Sequence, residues 1–331
     1  MQMTFILYRK LLRDVRIPLL VVCLIVAIFS GLWVKIAQRV TTEIFPFFNG
    51  LALAQKMDPK VFDEVLFKGP GKISQAVMGG ADVRFDRTSD FLAIELLHPV
   101  ILALTCIWAV GRAAGAVAGE LDRGTMELLL SQPVPRNRLV LAHFLVDLTV
   151  IPAICGSVVL GTQLGLAAVG PFVVDYSSLD KLMEKAPIKV RNPDRPTELE
   201  VDATAQWKGA MNLAGFAFAV SGFTLAISAA GRSRGKVTGL AVLVVVLMFV
   251  ANVLGQLWSA AAFLRPASVF FYYQPQKLWL HGDGFVDLGD AWNAGQPLLR
   301  LPVLAVLFGA GAAGYLLALL SFTRRDLPAP L

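Results

Sequence analysis

Charge is scarce in this chain. Only 16% of its 331 residues are Asp, Glu, Lys or Arg, against roughly 25% in soluble domains, and that deficit excludes an ordinary soluble fold. Cysteine and histidine are nearly absent too. Cys23, Cys106 and Cys155 all fall inside apolar runs, so they imply packing rather than a disulfide framework. His98, His143 and His281 are dispersed, and no HExxH, CxxC or GxSxG occurs, so neither a metal site nor a catalytic apparatus is legible. A phosphate loop is also missing. GRSRGKVT at 231–238 has too few residues between its glycines, and Val237 follows its lysine; GPGKIS at 69–74 is shorter still. Neither offers the run of backbone N–H groups that wraps a phosphate. The expectation is a chain that binds no cofactor of its own.

What the chain has instead is apolar length. A helix needs about 20 apolar residues to cross a bilayer, and the stretches 17–37, 91–118, 139–169, 209–230, 237–262 and 301–322 qualify. The fold class expected is therefore an all-α integral membrane protein, read as one transmembrane domain over 1–331, with outer segments 38–90, 170–208 and 263–300. The first run continues past Ser30 to Val34 without an A-x-A site, so it reads as a retained anchor rather than a signal peptide. The net charge of +6 invites a nucleic-acid reading, but its distribution argues against one. Arg9, Lys10, Arg13 and Arg16 precede the first run, and Arg112, Arg123, Arg136 and Arg138 follow the second. Arg232, Arg234 and Lys236 follow the fourth, and Arg324 and Arg325 the sixth. With alternating helices all these groups share one side, which places both termini in the cytoplasm by the positive-inside rule.

Outside the spans, residues 1–16 mix Phe5, Ile6, Leu11, Leu12 and Val15 with basic residues, as suits an amphipathic helix in the inner headgroup layer. Short outer helices are expected near 58–66 and 73–78, a hairpin over 190–201, and an interfacial aromatic belt at Phe270, Phe271, Tyr272, Tyr273 and Trp279. Ionisable groups inside the spans are candidates for function, since a charge at mid-membrane costs at least ~2.5–3.5 kcal/mol. Glu95 and His98, at i and i+3, read as a pair at the outer interface. His143 and Asp147 share a face at i, i+4, with Asp147 about 12 Å into its helix at 1.5 Å per residue. Two readings stay open for them: hydrogen bonds between helices, or a place on a substrate path or gate. Asn252 and Gln256 share a face of the fifth run, as glue or as a polar stripe along a cavity. Gly215, Ala217, Ala219, Ser221 and Gly222 in the fourth run, with Ala310 and Gly314 in the sixth, permit close helix approach.

The most patterned polar interruption lies between the second and third runs. Glu120-Leu-Asp122-Arg123-Gly124 leads into Thr125 to Ser131, where Met126, Leu129 and Leu130 fall on one helical face. Asp122 can cap that helix, and Pro133 and Pro135 stop it before Arg136. Glu120, Arg123-Gly124-Thr125, Glu127-Leu128-Leu129, Ser131, Pro133 and Arg136 resemble the signature after the second helix of type-2 exporter permeases of the ATP-binding cassette (ABC) superfamily. Ser-x-Phe-x-Tyr-Tyr-x-Pro at 268–275 and the close of the chain at 322–326 are similar to that family as well. The resemblance implies a six-helix permease with an N-terminal elbow helix and a coupling helix built from Glu120, Asp122, Arg123, Thr125, Met126, Glu127, Leu129, Leu130 and Arg136. It implies docking on two copies of a cytoplasmic ABC ATPase that binds ATP and Mg, and pairing with a second copy or a similar permease. Membrane lipids surround it in the cell inner membrane, and the substrate is not legible beyond a guess at an amphipathic or lipid-like molecule. The alternatives are an ABC complex that moves an outer partner without transport and an intramembrane enzyme using His143 and Asp147.

Overall fold

The computed structural model describes residues 2–44, 46–47, 87–126, 135–177, 180–181, 197–292 and 298–325. It is mostly helical, with six helical stretches long and apolar enough to cross a membrane. In chain order the elements are α1 (Gln2–Arg39), closed by a π-helical turn at Val40–Ile44, then α2 (Thr88–Ala93), a 3₁₀ turn at Ile94–Leu97 and α3 (Pro99–Ala116). Next come α4 (Ala118–Asp122), α5 (Arg136–Val169), β1 (Phe172–Val173), β2 (Glu198–Leu199), α6 (Gln206–Ala230) and α7 (Arg234–Leu257). A 3₁₀ stretch at Ser259–Ala267 leads to α8 (Pro275–His281), β3 (Phe285–Asp287), α9 (Leu288–Trp292), β4 (Arg300–Pro302) and α10 (Val303–Arg324). The helices expected near 58–66 and 73–78 lie outside the described residues, as does most of 180–202.

α6 sits at the centre, buried along most of its length, because its small residues let neighbours approach on several sides. α10 crosses it at backbone contact: a Cβ added at Gly314 would fall 2.6 Å from the Phe223 nitrogen, and one at Gly222 would fall 2.8 Å from the Gly311 Cα. α3 and α5 flank α6, and α1 runs along α5, where Gly161 and Gly165 face Ala27 and Gly31 of α1. The amphipathic start of the chain continues into the first span as one helix through Pro18. Its Tyr8, Leu11, Leu12 and Val15 pack on Val146, Val150 and Ile154 of α5. α7 is peripheral and exposes Leu240, Leu243, Val246, Leu247 and Leu254, as a lipid-facing helix does.

Two expectations change. The second span is broken: His98 leaves the helical region at ψ 134, and Pro99 starts α3, since the residue before a proline is pushed to extended geometry. The aromatic stretch is no exposed belt. Phe271, Tyr272, Tyr273 and Trp279 are buried in the protein, where Tyr273 donates to the Leu96 carbonyl at 2.5 Å and Asn212 Nδ2 donates to the Tyr272 carbonyl at 3.1 Å. The segment after α7 thus folds back against α6 and the Ile94–Leu97 turn and closes the end of the bundle. The hairpin expected over 190–201 lies mostly outside the described residues; within them the strand at 198–199 pairs with β1, Phe172 opposite Leu199 and Val173 opposite Glu198.

Candidate functional site

One end of the bundle carries the basic residues and the turn that follows α3. Glu120 organises that turn. Its Oε1 accepts from Arg123 Nη2 at 2.6 Å, its other carboxylate oxygen accepts from the Thr125 hydroxyl, and its carbonyl accepts from the same hydroxyl at 3.2 Å. Gly124 makes the reversal possible with φ 71, a left-handed conformation that costs glycine nothing. The Glu-x-x-Arg-Gly-Thr spacing is therefore a self-bonded turn, with Arg123 half-exposed at its rim.

The turn is anchored to the helices around it. α3 ends at Val117, where φ −116 and ψ −56 break the ladder. The Ser228 hydroxyl of α6 fills the break: it accepts from the Val117 and Ala118 N–H groups at 3.2 and 3.0 Å and donates to the Ala114 carbonyl at 3.0 Å. Asp122 accepts from the Arg234 N–H at 3.4 Å, so within the described residues it serves the first turn of α7. The Arg234 side chain lies across Gly115 and Gly119. Arg136, at the start of α5, donates to the Arg325 carbonyl, and Arg325 donates to the Ala229 and Gly231 carbonyls at 2.9 and 2.8 Å. Burial, and Arg232 nearby, lower the Arg325 pKa from its ordinary value. Met126, expected on the coupling helix's docking face with Leu129 and Leu130, is instead 1% exposed and belongs to the bundle's own core. Glu127, Leu129 and Leu130 lie outside the described residues.

Ser228 was not singled out in the sequence; a hydroxyl among small residues reads as packing. Its removal has a clear cost. Ser228→Ala leaves two buried backbone N–H groups without an acceptor, at on the order of 1–3 kcal/mol for an unsatisfied donor. The expected result is a lowered thermal midpoint of the purified chain in detergent, and an unchanged midpoint would show that the break is held by other contacts.

One to two helical turns deeper lies a buried ion pair. Asp147 receives Arg112 Nε on Oδ1 at 2.6 Å, and Arg112 Nη2 and the Tyr315 hydroxyl on Oδ2. Arg112 also donates to the His143 carbonyl at 2.9 Å and lies 3.2 Å from His143 Nδ1. A guanidinium only donates, so Nδ1 is the acceptor and the neutral ring carries its proton on Nε2, which has no partner among the described residues. Arg112, counted above among the basic flanks, is thus inside the span. It ties α3 to α5, and Asp147 ties both to α10. Asn252 is buried and Gln256 half-buried towards the far end of α7, at a different depth from Asp147.

Glu95 and His98 also separate. Glu95 is fully buried and accepts from Thr162 at 2.8 Å. His98 accepts from the Val100 N–H at 3.2 Å and lies against Phe29 and Trp33, with ring centroids 4.8 and 5.2 Å away. The extended backbone at His98 breaks the helical spacing that would have paired them. Among the described residues no group of His, Cys, Asp and Glu is placed to hold a metal ion.

The family model described as ABC-2 family transporter protein matches residues 8–184, from α1 through the Glu120 turn and α5. The chain belongs to the ABC-2 transporter family. As an ABC-2 protein it is a multi-pass membrane permease of an ABC system, a class that associates with an ABC ATPase. No curated protein and no solved structure matches the chain. The ABC-2 match includes every residue of the Glu120 turn and Asp147, and stops before Ser228, Arg234 and Tyr315, which hold them.

Proposed function

We propose that this permease is the membrane half of an ATP-driven exporter, with both termini and the Glu120 turn in the cytoplasm. Two ATPase subunits dock on the segment 120–133, bind ATP and Mg, and shift two permease copies between states. The observation that carries this reading is the self-bonded Glu120–Arg123–Gly124–Thr125 turn, fastened to α6 and α7 at the basic end. A push on such a turn is transmitted, because Ser228 and Arg234 couple it directly to helices that cross the membrane. The work available to the bundle is limited to the difference in contact energy between the two ATPase states. The transported molecule is proposed to be amphipathic or lipid-like, from the largely apolar spans. ATP hydrolysis is assigned to the partner, as neither glycine-lysine stretch has phosphate-loop spacing.

Leu129 and Leu130 are the residues proposed to meet the ATPase, with Met126 turned inward to fix the helix that presents them. Changing both to Asp would bury unpaired charge in the dock. The double variant should lose co-purification of its ATPase while keeping the thermal midpoint of the permease. Retention of the partner would remove the docking assignment, and joint loss of partner and stability would make the segment part of the bundle.

A further inference from the structure

At the end of the bundle away from the Glu120 turn, Ser30 of α1, Glu95 of the Ile94–Leu97 turn, Thr162 of α5 and Gln206 of α6 meet, all fully buried. Thr162 Oγ1 joins two of them, 2.8 Å from Glu95 Oε2 and 2.7 Å from Gln206 Nε2, which donates to it. Ser30 faces the same carboxyl group. Among the described residues, Glu95 Oε1, Ser30 Oγ and Gln206 Oε1 make no close hydrogen bond, and the first two face each other. All three can accept, and only the serine has a proton to give.

Among the described residues, the neighbouring elements bring no positive charge within bonding distance of this point. Tyr273 is committed to the Leu96 carbonyl, and Cys106 and Cys155 lie beyond it. His98 is held by Val100 and the Phe29 and Trp33 rings. On α1, Lys35 bonds Gln38 and Arg39 pairs with Glu43, both exposed. α2 adds the acid Asp90; on α6 the Lys208 ammonium lies at Gly282, and Arg112 is taken by Asp147. A carboxylate buried in a membrane span without counter-charge is strongly disfavoured. The surplus of oxygen acceptors shows what would relieve it.

We propose that Glu95, Ser30, Thr162 and Gln206 form a binding site for one monovalent cation, a proton or a sodium ion, between α1, the Ile94–Leu97 turn, α5 and α6. As a proton it makes Glu95 a donor to one of the unpartnered oxygens. As sodium it is ligated by the carboxylate, the hydroxyls and the Gln206 carbonyl. Either occupant clips these elements together, and its loss leaves a bare charge that drives them apart. The occupancy of the site is thereby linked to the spread of the bundle at this end.

The test uses the purified full chain in lipid nanodiscs, in sodium chloride and in choline chloride, and needs no ATPase. Infrared difference spectra of the wild type against Glu95→Gln should show a protonated-carboxyl band that the variant lacks, which identifies a proton. Alternatively, sodium should raise the thermal midpoint of the wild type and leave Glu95→Gln unmoved, which identifies sodium. An ionised Glu95 in both salts, with equal midpoints, overturns the proposal. Should Glu95→Gln not fold, Ser30→Ala keeps the carboxyl and decides: a shifted carbonyl band or a several-fold weaker sodium midpoint supports the site, and no change in either overturns it.

Discussion

Replacing Asp147 alone by Leu should cost the bundle most of its stability, and adding Arg112→Met to the same chain should restore it. Asp147 is 1% exposed and Arg112 8%, and the pair is bidentate. Breaking a buried pair from one side leaves the other charge without compensation, at about 3–5 kcal/mol. In a membrane span the stranded guanidinium meets hydrocarbon instead of water, so the upper part of that range applies. Removing both charges takes away the penalty together with the attraction, and such double replacements are often neutral or stabilising by about 1–4 kcal/mol. Tyr315→Phe deletes a single donor and should cost on the order of 1–3 kcal/mol. Thermal unfolding of the four chains in one detergent measures the series, and a stable Asp147→Leu variant would show that the pair holds nothing. Transport by the apolar double variant, assayed with its ATPase, then separates the readings left open in the sequence. Full activity makes the pair a brace between α3, α5 and α10. A stable but inactive double variant makes the charges part of the path or gate.

That network shows where the sequence was readable and where it was not. The spans were legible because hydrocarbon demands an apolar run of fixed length, a constraint that leaves its mark on composition alone. Their rotation about the axis was not. Arg112 lies near the end of an apolar run, where a charge facing a neighbour and a charge in the headgroups look alike. Met126 shared a helical face with Leu129 and Leu130, yet the reversal at Gly124 turns it into the core. Periodicity locates a face without saying whether it meets the chain itself or a partner. The aromatic stretch at 270–279 had the composition of an interfacial belt, but Asn212 and the Leu96 carbonyl offer it polar partners inside the protein. Glu95 and His98 were separated by the local effect of Pro99, which a continuous 3.6-residue period does not register. In the Glu120 turn, by contrast, the motif was legible as a unit, since Glu120, Arg123, Gly124 and Thr125 satisfy one another and need no distant contact to be recognised.

The largest steric effect is expected where α6 and α10 cross. Gly222→Leu should disrupt the bundle, and Gly314→Leu should do the same from the other side. The small residues of both helices were legible as a close-approach surface, but the positions in backbone contact are Gly222, Gly311 and Gly314. A Cβ at Gly222 runs into the Gly311 carbonyl oxygen, and one at Gly314 into the Gly222 carbonyl carbon. Overpacking commonly costs about 1–3 kcal/mol when side chains can give way, and more when they cannot. Here the obstacle is helix backbone, which moves only if the whole helix moves. Separating α6 from α10 would also pull Tyr315 away from Asp147 and the Ala229 and Gly231 carbonyls away from Arg325, so the damage should reach the basic end. Gly309→Leu is the matched control. It lies on α10 with nothing within 4 Å of the added Cβ, and should change the thermal midpoint little. The comparison is made on the yield of monodisperse protein and its midpoint in detergent. If Gly222→Leu and Gly309→Leu behave alike, the two helices do not cross at backbone contact, and the central packing described for α6 is wrong.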